Sequence, residues 1–205
     1  MTSDLDTFSQ FSRALSGSGF HLCDVLPLDA LPRDVWLEPF NLHGGSILLV
    51  GHAGREFWNA YKQAELTYKD PVDHFSSQIS EQALDQYFPD IPRKQLFPIE
   101  DCSVNLIALG RAFGWNYASP LGMGIHAKYG LWSAYRSVWW LDSIDLKTDN
   151  TGTSTASTDS MYDHKSACIN AVHSALDVCA EQMPVLTRFS DKRLRACNRS
   201  VEELA

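Results

Sequence analysis

An α+β fold is what this sequence predicts, and three observations carry the prediction. Two segments read as strong strands, Ser46–Val50 and Trp132–Leu141. Around them lie segments whose apolar residues recur at helical spacing. The order of these helices and strands is mixed, which argues against a regular βαβ winding. With 205 residues, 44% of them hydrophobic, the chain supports one domain with a real core and is too short for two comfortable ones.

The first predicted helix covers Asp4 to Leu15, with Leu5, Phe8, Phe11, Ser12 and Leu15 on one face. Gly17 and Gly19 stop it, and Phe20–Leu26 reads as a strand. Pro27–His43 holds three prolines and should be irregular. Gly44 and Gly45 then open a buried strand, Ser46–Val50, which Gly51 is expected to close. A helix should follow from Ala53, with Phe57, Trp58 and Tyr61 on its apolar face. Asp70 and Pro71 look like a cap and first turn of a helix running to about Tyr87. Ser103–Gly114 is a third helix, rich in small residues and apolar on most sides. In the strand Trp132–Leu141, alternation puts Trp132, Ala134, Arg136, Val138 and Trp140 on one face. Ser133, Tyr135, Ser137, Trp139 and Leu141 take the other. Lys147–Ser160 carries no large apolar residue and should be a mobile loop. Two helices, about His164–Glu181 and Asp191–Leu204, complete the chain.

Charge and cysteine content narrow the function classes. The net charge of −8 and a pI near 5.3 argue against nucleic acid or an anionic membrane surface as a general partner. Met1 to Phe20 contains no apolar run of the kind a secretion leader needs. The longest apolar stretches fall far short of the roughly 18–20 residues of a membrane span. Five widely spaced cysteines, Cys23, Cys102, Cys168, Cys179 and Cys197, read as reduced thiols in a cytoplasmic protein. They include no C-x2-C pair. Neither a zinc site nor an iron–sulfur cluster has a local scaffold, so no metal is expected.

Several residues combine the chemistry of a binding site. Arg136 sits mid-strand and needs an anionic partner, because an unpaired buried guanidinium is costly. That partner is either a carboxylate such as Asp142 or Glu100, or the carboxylate or phosphate of a ligand gripped by the planar fork. His126 follows a Gly-x-Gly turn and is either a hydrogen-bonded structural group or a ligand contact. Gly122, Gly124 and Gly130 flank it and suit a loop that something approaches closely. Trp132, Trp139 and Trp140 fit a core, or a stacking platform for a flat ligand. Gly51–Arg55 is either an anion site at a helix start or a plain tight turn. Asp70 and Asp73 favour a capping role, and the tail cysteines fit core packing. No hydrolase motif is present.

Three stretches carry a resemblance to a known family. They are Leu48-Leu-Val-Gly-His-Ala-Gly-Arg-Glu-Phe-Trp58, Asp70-Pro-Val-Asp73 and Gly122-Met-Gly-Ile-His-Ala-Lys-Tyr-Gly-Leu-Trp-Ser-Ala-Tyr-Arg136. The last resembles the segment G-x-C-I-H-P-x-(F/Y)-G-x-W-x-A-x-R-G of CblC (MMACHC-type) cobalamin-processing proteins. It also resembles I-H-P-x-Y-G-L-W-H-A-Y-R-G of their ferredoxin-tailed bacterial relatives. Ile125, His126, Tyr129, Gly130, Trp132, Ala134, Tyr135 and Arg136 match position by position. The likeness covers roughly Ile47 to Leu141, in the right order.

The resemblance implies a flavin-reductase (nitroreductase)-like mixed sheet flanked by helices, over a ligand-binding core of residues 1–146. The loop 147–160 and a helical tail 161–205, packed on that core, would complete one domain. It implies cobalamin or another corrinoid as ligand, with FMN or FAD as the other cofactor option. The implied reaction is reductive removal of the upper axial ligand with reduced flavin, or dealkylation by glutathione. The implied ligand-binding residues are Gly122, Gly124, His126, Tyr129, Gly130, Trp132, Tyr135 and Arg136. A small molecule is thus the expected partner, with a homodimer left open. Ala127 and Ser137 depart from the family's proline and glycine, and Ser103–Gly114 lacks the histidine of the animal proteins. Three tail cysteines, separated by ten and seventeen intervening residues, cannot serve two four-thiolate clusters. Two alternatives therefore stand beside the corrinoid reading: a non-catalytic binding domain that kept the fold, and a flavin- or tetrapyrrole-dependent enzyme with a new substrate.

Overall fold

Helix α1 (Asp4–Gly17) opens the chain in the computed structural model, which describes residues 4–64, 70–100, 104–117, 124–126, 129 and 132–142. Phe11 and Leu15 of α1 are fully buried and Phe8 packs beside them, whereas Leu5 at the start of the expected face is half exposed. The helix ends as the glycines suggest. The N–H of Phe20 returns to the carbonyl of Leu15 at 3.1 Å, and Gly19 has φ +87°. A side chain at Gly19 would collide with the backbone of Phe57 and Glu56, so glycine lets this turn lie directly on a later helix.

Strand β1 (Leu22–Pro27) pairs antiparallel with β2 (Ser46–Ala53). Between them the proline-rich segment makes three short 3-10 turns, at Leu28–Ala30, Arg33–Val35 and Glu38–Phe40. Every residue of β2 is buried. The strand runs past Gly51, contrary to the sequence expectation, because the ladder continues there: Leu22 pairs with Gly51. Gly54 (φ +80°) makes the turn instead, and α2 (Glu56–Gln63) follows. Helix α3 (Pro71–Tyr87) begins where Asp70 and Pro71 indicated. Asp70 holds the N-cap position without a side-chain capping bond; its carbonyl accepts from the N–H of His74.

Strand β3 (Arg93–Phe97), absent from the sequence reading, lies at the sheet edge and pairs antiparallel with β6 (Ser133–Leu141). Helix α4 (Leu106–Ala112) starts later than expected, because Asn105 caps it by accepting from the N–H of Ala108. Asn105 also donates to the carbonyl of Asp34, tying α4 to the second 3-10 turn. Two short strands, β4 (Asn116–Tyr117) and β5 (Ile125–His126), form a separate antiparallel pair.

The larger sheet has the order β1–β2–β6–β3, so the molecule is α+β as expected. Cys23, Val25, Leu48, Val50, Trp139 and Leu141 from this sheet share one core with residues of α1, α2 and α3. Each large apolar side chain buried there contributes about 1.5–3 kcal/mol relative to exposure. Ser80 of α3 links helix to sheet: its hydroxyl accepts from the Trp139 indole N–H (3.2 Å) and lies 3.1 Å from the Ser137 hydroxyl. The chain divides into two compact units, Met1–Phe113 with Ala134–Asn150, and Gly114–Ser133 with Thr151–Ala205. The expected loop 147–160, the helices about 164–181 and 191–204, and Cys102, Cys168, Cys179 and Cys197 lie outside the described residues. Cys23 is a free thiol in the core, and burial raises its pKa. Among the described residues, no helix is long and apolar enough to cross a membrane.

Candidate functional site

Strand β2 delivers His52 and the neighbouring strand β6 delivers Arg136. The guanidinium Nε–H of Arg136 donates to Nδ1 of His52 at 2.8 Å. Of the two partners the sequence left open for Arg136, a carboxylate such as Asp142 or Glu100 and an anionic group of a ligand, the first is not met here. Among the described residues no carboxylate comes within 4 Å of Arg136. Asp142 instead donates its backbone N–H to the carbonyl of Pro92. Extending β2 past Gly51 is what places His52 on the sheet, opposite its arginine.

Aromatic rings support this pair. The His52 ring stacks on Phe57 of α2 with centroids 4.2 Å apart and planes 13° apart. The guanidinium carbon of Arg136 stands 5.0 Å from the same Phe57 ring. A hydrogen bond cannot cross a benzene ring, so imidazole and guanidinium rest on one face of Phe57. Trp58 forms a wall at 83° to His52, with the guanidinium carbon 5.8 Å from its ring. Phe20, Phe75 and Tyr61 surround Phe57 and fix it. A desolvated cation over such rings gains on the order of 1–2 kcal/mol, which partly offsets burial of the charge.

The electrostatics follow from burial. His52 is 4% exposed. Burial, then the Arg136 charge, then His21 push its pKa down to about 4, so it is neutral at pH 7. Burial also lowers the pKa of Arg136, opposed by the charge of Asp73 in the first turn of α3. Arg136 nevertheless remains a cation, as guanidinium does in proteins. His21 lies 3.6 Å from Glu56 at the border of the cluster. Neither terminal nitrogen of Arg136 bonds a described residue, and neither is sealed from solvent. Two fork nitrogens are thus available to a ligand. Tyr135, next on β6, is half buried, and desolvation pushes its hydroxyl up to about 12.

Of the other expected site residues, Gly124, His126, Tyr129 and Trp132 belong to the second compact unit. His126 is on β5, and its Nδ1 accepts from the backbone N–H of Tyr129 at 3.3 Å. Their rings lie 5.0 Å apart. The N–H of Trp132 donates to the carbonyl of Tyr129. His126, Tyr129 and Trp132 therefore share one turn, in which the histidine has a structural task. Trp132 precedes β6 and is 47% exposed, so it does not join the strand alternation. Gly124, just before β5, is half buried, while Gly122 and Gly130 lie outside the described residues. Trp139 is in the core, and the Trp140 indole N–H donates to the carbonyl of Gly44; both serve the fold.

The residues that sequence reasoning missed are His52, Phe57, Trp58 and Asp73 as companions of Arg136. A signal was present. His52, Phe57 and Trp58 fall in the Leu48–Trp58 stretch, Asp73 closes Asp70–Asp73, and Arg136 ends Gly122–Arg136. Among the described residues, no group of three or more histidine, cysteine or carboxylate side chains is arranged to hold a metal. The fold and this site define an α+β protein with an arginine–imidazole pair set in an aromatic cradle. No protein-family model matches the chain, and no curated protein matches it in sequence.

Proposed function

We propose that this chain binds and processes a corrinoid, with Arg136 gripping an anionic group of the ligand or of its co-reactant. The observation that carries the reading is the convergence on Arg136 of all three stretches that resemble CblC-type proteins. His52, Phe57 and Trp58 come from the first stretch, Asp73 from the second, and Arg136 itself from the third. Segments far apart in sequence meet around one cation whose terminal nitrogens bond no described residue. A flavin-reductase (nitroreductase)-like arrangement of the sheet belongs to the same proposal.

The residues fit such a ligand. Cobalamin carries a phosphodiester, FMN and FAD carry phosphates, and glutathione carries carboxylates. Each can accept paired hydrogen bonds from a guanidinium fork. The partly exposed Trp58 offers a flat apolar wall beside that fork. When bound, reduced flavin would supply the electrons, or glutathione the thiolate, for removing the upper axial ligand. The protein's own residues bind and orient: Arg136 holds the anion, and Phe57 and Trp58 keep the guanidinium in place.

Titrating the purified protein with cobalamin, and separately with FMN, FAD and glutathione, tests the reading. A saturable change in the corrin spectrum, weakened in Arg136→Ala, is the expected result. Wild-type protein that binds none of these molecules would sink it.

A further inference from the structure

We infer that His52 is a specificity-determining binding residue, which with Arg136 makes a site of hydrogen-bond donors only that selects an oxyanion over neutral polar groups. The inference rests on the reading of Arg136 as a ligand-gripping residue and adds a second residue and a ligand class to it.

An arginine Nε always carries hydrogen, so the nitrogen facing it must accept. That nitrogen is His52 Nδ1, 2.8 Å away. A neutral imidazole has one hydrogen, and with Nδ1 accepting it must sit on Nε2. The ring therefore has no acceptor left. His52 is nearly buried, yet its Nε2 bonds no described residue and is not closed off from solvent. The remaining N–H is available at the surface of the site.

The guanidinium contributes only donors as well, and neither of its terminal nitrogens bonds a described residue. Imidazole and guanidinium lie on the same face of Phe57, joined directly to each other. A carboxylate or phosphate oxygen, which only accepts, satisfies such a pair. An amide or alcohol would bring a donor that finds no acceptor, and an unmet polar group costs affinity. The charged and titratable groups around the His52–Arg136 pair are Asp73 on α3, Glu56 on α2 and His21 before β1. The Arg136 cation touches the imidazole directly, which favours its neutral form.

Side-chain nitrogen NMR of the whole wild-type protein tests this without any identified ligand, with His52→Gln used to assign the signal. His52 should show the neutral tautomer protonated on Nε2 from pH 5 to pH 8. Acetate, inorganic phosphate and acetamide are then titrated separately at constant ionic strength. Acetate or phosphate should shift both the His52 Nε2–H and the Arg136 Nε–H saturably, and acetamide neither. Whichever anion acts distinguishes a carboxylate from a phosphate ligand. His52→Phe should weaken the Arg136 response roughly tenfold or more, as expected for one lost hydrogen bond to a charged group. His52→Gln, whose amide can both accept from Arg136 and donate, should retain most of the response.

An Nδ1-protonated ring, or an imidazolium at pH 6, overturns the inference. So does an equal response to acetamide, or an anion that shifts Arg136 while His52 stays still, the mark of a merely structural histidine. Failure of cobalamin binding with the oxyanion response intact removes the corrinoid reading and leaves this inference standing. Cobalamin binding with no oxyanion response does the reverse.

Discussion

Arg136 Nε donates to His52 Nδ1 at 2.8 Å, across 84 positions of sequence. A half-buried cation is thus paired with a neutral base. Among the described residues no carboxylate lies within salt-bridge distance of it, and Asp73 acts from farther away. Holding a cation against a neutral partner costs stability.

Replacing Arg136 by alanine should weaken ligand binding by about 1.5–3 kcal/mol, the range for a lost hydrogen bond to a charged group. Arg136→Lys should not restore it fully. A lysine has no planar fork and cannot serve His52 and a ligand in the same geometry. Melting temperature and cobalamin affinity measured on the same variants separate this from a structural role. In the structural case the melting point falls while folded molecules bind as before.

Stability should fall on mild acidification because of His52. Its pKa is lowered to about 4 in the folded protein, against about 6.5 for an unperturbed histidine. Below pH 6.5 the unfolded chain takes up a proton that the folded chain refuses. The stability contributed by keeping His52 neutral is therefore fully present above pH 6.5 and is lost progressively as pH falls from 6.5 to 4. Between pH 7 and pH 5 this single group should account for about 2 kcal/mol. Denaturant unfolding of wild type and His52→Gln at the two pH values checks it: the variant should lose less stability on acidification.

Ser80→Ala should destabilise the fold without touching ligand affinity. The Ser80 hydroxyl is fully buried. It donates to the carbonyl of Ser76 and is the partner of the Ser137 hydroxyl and the Trp139 indole N–H. Removing it strands buried donors, a cost of about 1–3 kcal/mol. Combined with Ser137→Ala, the loss should be less than the sum, since the two hydroxyls share one network. Urea unfolding of the two single variants and the double variant measures this.

Gly19→Ala should cost more than about 2 kcal/mol, because a left-handed residue acquires a Cβ where no space exists. That Cβ would strike the backbone of Phe57 and Glu56. The variant should therefore shift α2, and with it the Phe57 platform beneath His52 and Arg136. Weakened ligand binding in Gly19→Ala molecules that remain folded is the expected signature. Gly17→Ala is the control, because nothing lies near a Cβ there.

Local chemistry in the sequence was enough to place the elements that depend on near neighbours. Phe11 and Leu15 recur at helical spacing and lie in the core. Pro71 starts α3, the prolines break the segment after β1 into short turns, and Ile47–Val50 form a buried strand. The position of Arg136 on a strand, needing a partner, was also legible. Tertiary structure decided the rest. Strand β3 escaped notice because an edge strand with a single buried residue, Leu96, leaves no alternating pattern. Gly51 looked like a stop, but a strand hydrogen-bonded to its neighbour holds even a glycine extended, and β1 reaches that far. That extra length puts His52 on the sheet beside β6. Which side chain satisfies Arg136 depends on that register and on the Phe57 ring beneath both. No local pattern encodes a bond between residues 84 positions apart, because it exists only once the strands have paired.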